Sequence, residues 1–145
     1  MREPIPKATQ LQVWYRDGWH CTYCCEPIFF SPTVKLLESL SPGHGYYDRH
    51  GKRGVMVSLF ENHCACCDHV LPAASGGPTT MENLVSACFQ CNRAKSDGPV
   101  PVSQERTRQH PRPADWDGLA SLYSKLPGAD RSWCRALGRI DAERS

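Results

Sequence analysis

Three Cys-x-x-Cys pairs punctuate this chain: Cys21/Cys24, Cys64/Cys67 and Cys88/Cys91. Two intervening residues let both thiolates of one tight turn face a common ion, and two such turns complete a tetrahedral site of four sulfurs. Ion binding then contributes folding energy that a small hydrophobic core lacks. Nine cysteines among 145 residues is far above ordinary usage, and the odd count argues against a closed disulfide framework. Met1 to Gln10 carries Pro4, Pro6 and Lys7 and no apolar run, so no secretory signal is expected there and the chain reads as cytoplasmic. No stretch approaches the roughly 18 to 20 apolar residues of a membrane span. In a reducing compartment, paired cysteines read as metal ligands first.

The first and third pairs are the better zinc ligands. Each sits at the edge of a turn or helix with one aromatic inside the knuckle, Tyr23 or Phe89. The stretch around Cys64 has strand composition, and alternation sends Cys64 and Cys66 to one face and Cys67 to the other. A structural zinc site of Cys21, Cys24, Cys88 and Cys91 is therefore expected. Cys64, Cys66 and Cys67 read as small buried hydrophobes, with a second metal or a redox role as the alternative. Cys25 and Cys134 are most simply spare thiols.

Seventeen basic and 15 acidic residues leave a formal charge of +2, which is not the balance of a protein that coats nucleic acid. A local basic patch would still suffice for a nucleic-acid partner. The length suits one domain. Thr9 can cap a short helix through Tyr15, ended by Arg16-Asp17-Gly18 with the glycine at a plausible C-cap. Val34 to Leu40 suits a helical turn or two, and the glycine-rich Ser41 to Gly54 reads as an exposed loop. Val55 to Phe60 has strand composition, and a second short strand over Ala65 to Leu71 follows. Pro72 to Thr80 is a loop, order returns at Met81 to Ala87, and a helix is expected from Asn92 to Ser96. Pro99 to Pro113 has the composition of a proline-rich linker, placed at 99–114. Beyond it, Asp115 can cap a helix with Trp116, Leu119, Leu122, Tyr123 and Leu126 on one face, and a last helix carries Trp133, Leu137 and Ile140. These helices, 115–145, most simply pack back on the core.

Between the zinc turns the chain reads Asp68-His69-Val70-Leu71-Pro72, then Gly76-Gly77, then Glu82-Asn83-Leu84, then Cys91-Asn92-Arg93-Ala94-Lys95. This order of elements resembles the HNH endonuclease family, in the branch whose ββα-metal hairpin is clamped by two Cys-x-x-Cys pairs. Arg16-Asp17-Gly18 to Cys24 is similar to the family's lead-in, so the resemblance runs from about Val13 to Asp97. It implies an α+β fold, a small zinc-stapled, treble-clef-like ββα-metal core over 1–98 with flanking helices. It further implies a nuclease in which Asp68 and Asn92 hold a catalytic Mg²⁺ or Mn²⁺, His69 is the general base, and Asn83 pins the loop and orients His69. The products would be 5′-phosphate and 3′-hydroxyl ends.

The chemistry asks for the same residue types. A hard cation prefers oxygen ligands and keeps several waters, so one or two protein oxygens suffice. Imidazoles titrate near neutrality and can take a proton from water, provided the second ring nitrogen is held. Asn92 stands where some family members carry His, which turns the site toward Mg²⁺ or Mn²⁺. Asp68 and His69 are neighbours and should point to opposite faces unless the strand ends or twists there. Arg93 and Lys95 are candidates for phosphate contacts, which position a strand without reading its sequence. His63 is an alternative ligand or supporting group, whereas His20, His44, His50 and His110 read as surface residues. The gap from Cys24 to Asp68 exceeds what a minimal hairpin needs, so an insertion of about 32–54 is inferred. It bears Tyr46, Tyr47, Arg49, His50, Lys52 and Arg53 and suits either nucleic-acid contact or a surface loop. DNA is the expected partner, with RNA as a competing substrate. The alternative function is a zinc-stabilised module that grips nucleic acid without cutting it, and a zinc-stabilised protein adaptor is a third reading.

Overall fold

A two-stranded antiparallel hairpin lies at the centre of the computed structural model, which describes residues 4–50, 52–97 and 115–144. Strand β1 (Ala65–His69) pairs with β2 (Leu84–Cys88) in a register that sets Ala65 opposite Cys88 and His69 opposite Leu84. Helix α4 (Phe89–Asp97) leaves the end of β2 without a connecting loop. Upstream lie α1 (Lys7–Arg16), α2 (Ser31–Leu40) and α3 (Ser58–His63). Downstream lie the single-turn α5 (Ala120–Tyr123) and α6 (Arg131–Arg144). The architecture is thus α+β. The proline-rich segment 99–114 and His110 lie outside the described residues.

An isolated hairpin is marginal in water, so its inner face must be covered. Leu11 and Trp14 of α1, Trp19, Ile28, Phe30, Ala87 of β2, Tyr123 of α5 and Leu137 of α6 form one buried cluster. Its aromatic centre is Phe30, which meets Trp14, Trp19, Tyr123 and Trp133 edge to face at centroid distances of 4.9 to 6.1 Å. Such pairs each add about 0.5 to 1.5 kcal/mol beyond area burial. The C-terminal helices therefore complete the same core as the hairpin. Polar ties reinforce this: Phe30 N donates to Gly118 O at 2.8 Å, Thr33 Oγ1 to Leu119 O at 3.0 Å, and Trp116 Nε1 to Ile28 O at 3.1 Å.

Several elements differ from the sequence expectations. Val55 to Phe60 is not a strand: Val57 caps α3, and Phe60 and Glu61 donate their backbone N–H groups back to Val57 O. A short apolar run carries no period to separate strand from helix, and the contact of Phe60 with Phe29 (5.0 Å) decides. Helix α1 starts at Lys7 behind Pro6, not at a Thr9 cap. Helix α4 starts at Phe89 rather than Asn92, so Cys91 lies in its first turn. The helix expected over 116–126 shrinks to one turn because Gly118 and Leu119 both take positive φ (68°). Asp117, not Asp115, supplies the capping bonds, to Leu119 N and Ser121 N. His20 is buried, with Nδ1 2.6 Å from Gly18 O, whereas His44 and His50 are exposed. No helix among the described residues is long and apolar enough to cross a membrane.

Gly118 combines left-handed backbone with close approach, since a Cβ there would sit 2.4 Å from Trp19 Cε3. Overpacking and φ strain add, so Gly118→Ala should destabilise the protein by about 2 to 4 kcal/mol, read as the shift in a urea unfolding curve.

Candidate functional site

The four sulfurs of Cys21, Cys24, Cys88 and Cys91 converge, all within 4.8 Å of one another. Two come from the knuckle between α1 and Phe29, closed by the His20–Pro27 bridge and by Cys21 N donating to Glu26 O at 2.9 Å. The other two come from the last residue of β2 and the first turn of α4. A tetrahedron of sulfurs about 2.3 Å from a central ion has edges of about 3.8 Å. Cys24 Sγ and Cys88 Sγ are 3.8 Å apart. The donor set, soft, tetrahedral and without an open oxygen position, fits a structural ion such as zinc.

Electrostatics points the same way. Hydrogen bonds from Cys24 and Cys88 hold Cys21 far down as a thiolate. The contact with Cys21 pushes Cys24 and Cys88 upward, and burial pushes Cys91 up to about 12. A divalent cation at the centre of such a cluster would favour the thiolate form of all four sulfurs. The second pair is different. Burial raises Cys64 to about 11 and both Cys66 and Cys67 to about 12. These thiols stay protonated near neutrality, as small half-buried hydrophobes would. His63 stays within its own helix, with Nδ1 3.2 Å from Leu59 O.

The hairpin places the remaining candidates at its open end. His69, the last residue of β1, is 4 % exposed, and its Nε2 lies 3.0 Å from Thr79 Oγ1. Asn83 clamps the loop between the strands. Its Oδ1 accepts from Leu71 N (2.8 Å), and its Nδ2 donates to Leu71 O (3.0 Å) and Pro78 O (2.8 Å). Pro78 precedes Thr79, so the clamp also fixes the residue that touches the His69 ring. Gly77 must be glycine here, because a Cβ would fall 1.8 Å from Leu71 O.

Asp68 has separate partners, as strand alternation requires. Its Oδ2 accepts from Tyr23 OH at 2.6 Å and from Lys95 Nζ at 2.7 Å. Lys95 Nζ also donates to His69 O at 2.5 Å. Lys95 therefore ties α4 to the end of β1, a structural contact the sequence did not disclose. Asn92 lies three residues earlier in α4, on the side of the helix that Lys95 shares. Arg93 lies over the Phe89 ring, 5.2 Å from its centroid.

Four supporting residues escaped sequence reasoning. Tyr23 was visible only as the aromatic inside a knuckle, yet it links the cysteine cluster to Asp68. Arg16 and Asp17 were visible only as a helix end. Arg16 donates to Met81 O (2.6 Å) and Leu84 O (2.5 Å), and Asp17 Oδ2 accepts from Ser86 N (2.9 Å), so the pair braces β2. Thr79 left no signal, because a threonine in a polar loop has no distinguishing spacing.

Residues 58–98 match the family model described as HNH endonuclease. No curated protein and no solved structure matches the chain.

Two outcomes follow from this geometry. Cys88→Ser should lose the structural ion and the cooperative unfolding transition together, read as zinc per chain by elemental analysis beside a melting curve. Tyr23→Phe should keep its zinc but lose about 1 to 2 kcal/mol in urea unfolding, because a carboxylate loses a partly buried hydrogen bond.

Proposed function

We propose that this chain, with an HNH endonuclease domain over residues 58–98, is a metal-dependent endonuclease hydrolysing the phosphodiester bonds of DNA. The observation that carries the reading is the hairpin end. Within the matched segment, His69 closes β1 with one ring nitrogen engaged, Asn83 clamps the loop beside it, and Asp68 is its neighbour. The reading takes the cysteine cluster as a structural zinc site and the cytoplasm as the place of action.

Asp68 and Asn92 would hold a Mg²⁺ or Mn²⁺ ion. The donor chemistry fits, a carboxylate and a neutral amide oxygen for a hard cation that keeps most of its waters. When bound, the ion supplies charge neutralisation at the phosphate and at the leaving oxygen. The chain's own residues do the rest. With a proton on Nε2 donated to Thr79 Oγ1, His69 keeps the lone pair on Nδ1 and takes a proton there from water. Asn83 keeps Thr79, and through it the ring, from turning. Tyr23 and Lys95 occupy one oxygen of Asp68 and so orient the other. Arg93 is the better placed of the two basic candidates for phosphate contact, since the Lys95 ammonium already serves Asp68 and His69 O.

One observation favours the runner-up, a zinc-stabilised module that binds nucleic acid without cutting. The Lys95–Asp68 ion pair compensates a carboxylate that would otherwise call for a cation. Nicking of supercoiled plasmid with Mg²⁺ or Mn²⁺ separates the readings. Wild type should nick, and His69→Ala with equal zinc content should lose at least about 100-fold in rate. A wild-type protein that retards the plasmid but leaves it intact with every divalent ion would establish the binding module instead.

A further inference from the structure

Two cavities, of about 520 and 420 Å³, lie outside the hairpin end and share Ser31 and Tyr47. The two cavities flank Ser31 and Tyr47 from either side and together trace one path along the surface. It starts between the N-terminal ends of α1 and α6 at Lys7 and Trp133, passes Lys35 of α2 and Tyr47 of the insertion, and ends at Phe89. Phe89 is the first residue of α4 and is 41 % exposed. Asn92 and Arg93 follow it at helical spacings of three and four, on the same side of the helix.

One arrangement repeats along this path. Lys7 Nζ sits 5.3 Å from the Trp133 ring centroid, Lys35 Nζ 5.9 Å from that of Tyr47, and the Arg93 guanidinium 5.2 Å from that of Phe89. Neither lysine forms a salt bridge among the described residues, although Lys7 Nζ donates to Ser132 Oγ at 2.5 Å. The acidic residues of the groove accept from nearby backbone N–H groups, and Asp130 also from Ser132 Oγ. Asp48 accepts from Lys52 N, Glu61 from Gly54 N, and Asp130 from Ser132 N and Trp133 N. Cations parked on aromatic faces, with local carboxylates already engaged, make a surface on which a base can replace the ammonium over the ring while the ammonium swings to a phosphate.

We infer that this groove is a binding path for single-stranded nucleic acid, leading an unpaired strand over Tyr47 toward Phe89 and α4. Its occupant is named from the proposed nuclease reading, and so rests on it. The single-strand assignment comes from the groove itself, because ring faces recessed in a cavity are open to unpaired bases and closed to a stacked duplex. It also gives the insertion of about 32–54 a task, that of carrying the central stacking residue.

The test is fluorescence anisotropy of a short labelled single strand and of the matching duplex, using zinc-loaded protein with no magnesium or manganese added. Tyr47→Ala should weaken single-strand binding about tenfold, Tyr47→Phe should restore it, and the duplex should change less than about twofold. Lys35→Gln should flatten the dependence of log K on log salt by about 0.7, the share of one phosphate contact on a single strand. Failure of the wild-type protein to bind single strands would overturn the inference. So would binding that both variants leave unchanged, or a loss equal for strand and duplex. A protein that holds single strands this way yet never nicks plasmid sinks the nuclease reading alone. One that nicks plasmid while Tyr47→Ala binds single strands normally sinks the groove alone.

Discussion

The convergence of Cys21, Cys24, Cys88 and Cys91 is the constraint on which the rest of this structure depends. It ties a knuckle near the start of the chain to the junction of β2 and α4, across more than sixty residues. A hairpin of two five-residue strands cannot hold its own register in water. Anchored at one end by a metal-sized cluster of thiols and braced by Arg16 and Asp17, it gains a fixed base. Its free end can then carry polar residues that contribute little to stability. An ion held there would substitute for hydrophobic area that a chain of this size does not have.

The cluster also reaches the candidate chemistry directly. Tyr23 lies within the knuckle, and its hydroxyl lies 2.6 Å from Asp68. Lys95, on the helix that the cluster orients, meets the same carboxylate oxygen. Cysteine cluster and hairpin end therefore form one mechanical unit, with Asp68 at the junction. His69 is held by a separate device, the loop clamped by Asn83. Two residues adjacent in sequence thus answer to different supports, which strand alternation demands.

The fold was legible where spacing carries physics. Two Cys-x-x-Cys turns name their ligands because only a short turn aims two sulfurs at one point. The hairpin strand at Ala65 and a helix carrying Asn92 to Ser96 followed from the same segment, although that helix begins earlier, at Phe89. Legibility failed at Val55 to Phe60, where composition without period cannot tell strand from helix, and at the C-terminal helix after Asp115, where Gly118 and Leu119 adopt a backbone that propensity does not foresee. His20 read as a surface residue because nothing local shows that Gly18 O lies ready to receive it.

By itself, then, the sequence determined which four cysteines form the cluster and the order of Asp68, His69, Asn83 and Asn92, because each is a matter of residue type and interval along one chain. Only the tertiary structure decided that Lys95 belongs to Asp68, that Tyr23 joins the two centres, that Thr79 holds the His69 ring, and that the insertion, α2 and α6 line a common groove. Those are contacts between segments far apart in sequence. They depend on how α1, α5 and α6 pack around Phe30 and Trp14, and no local interval encodes a packing angle.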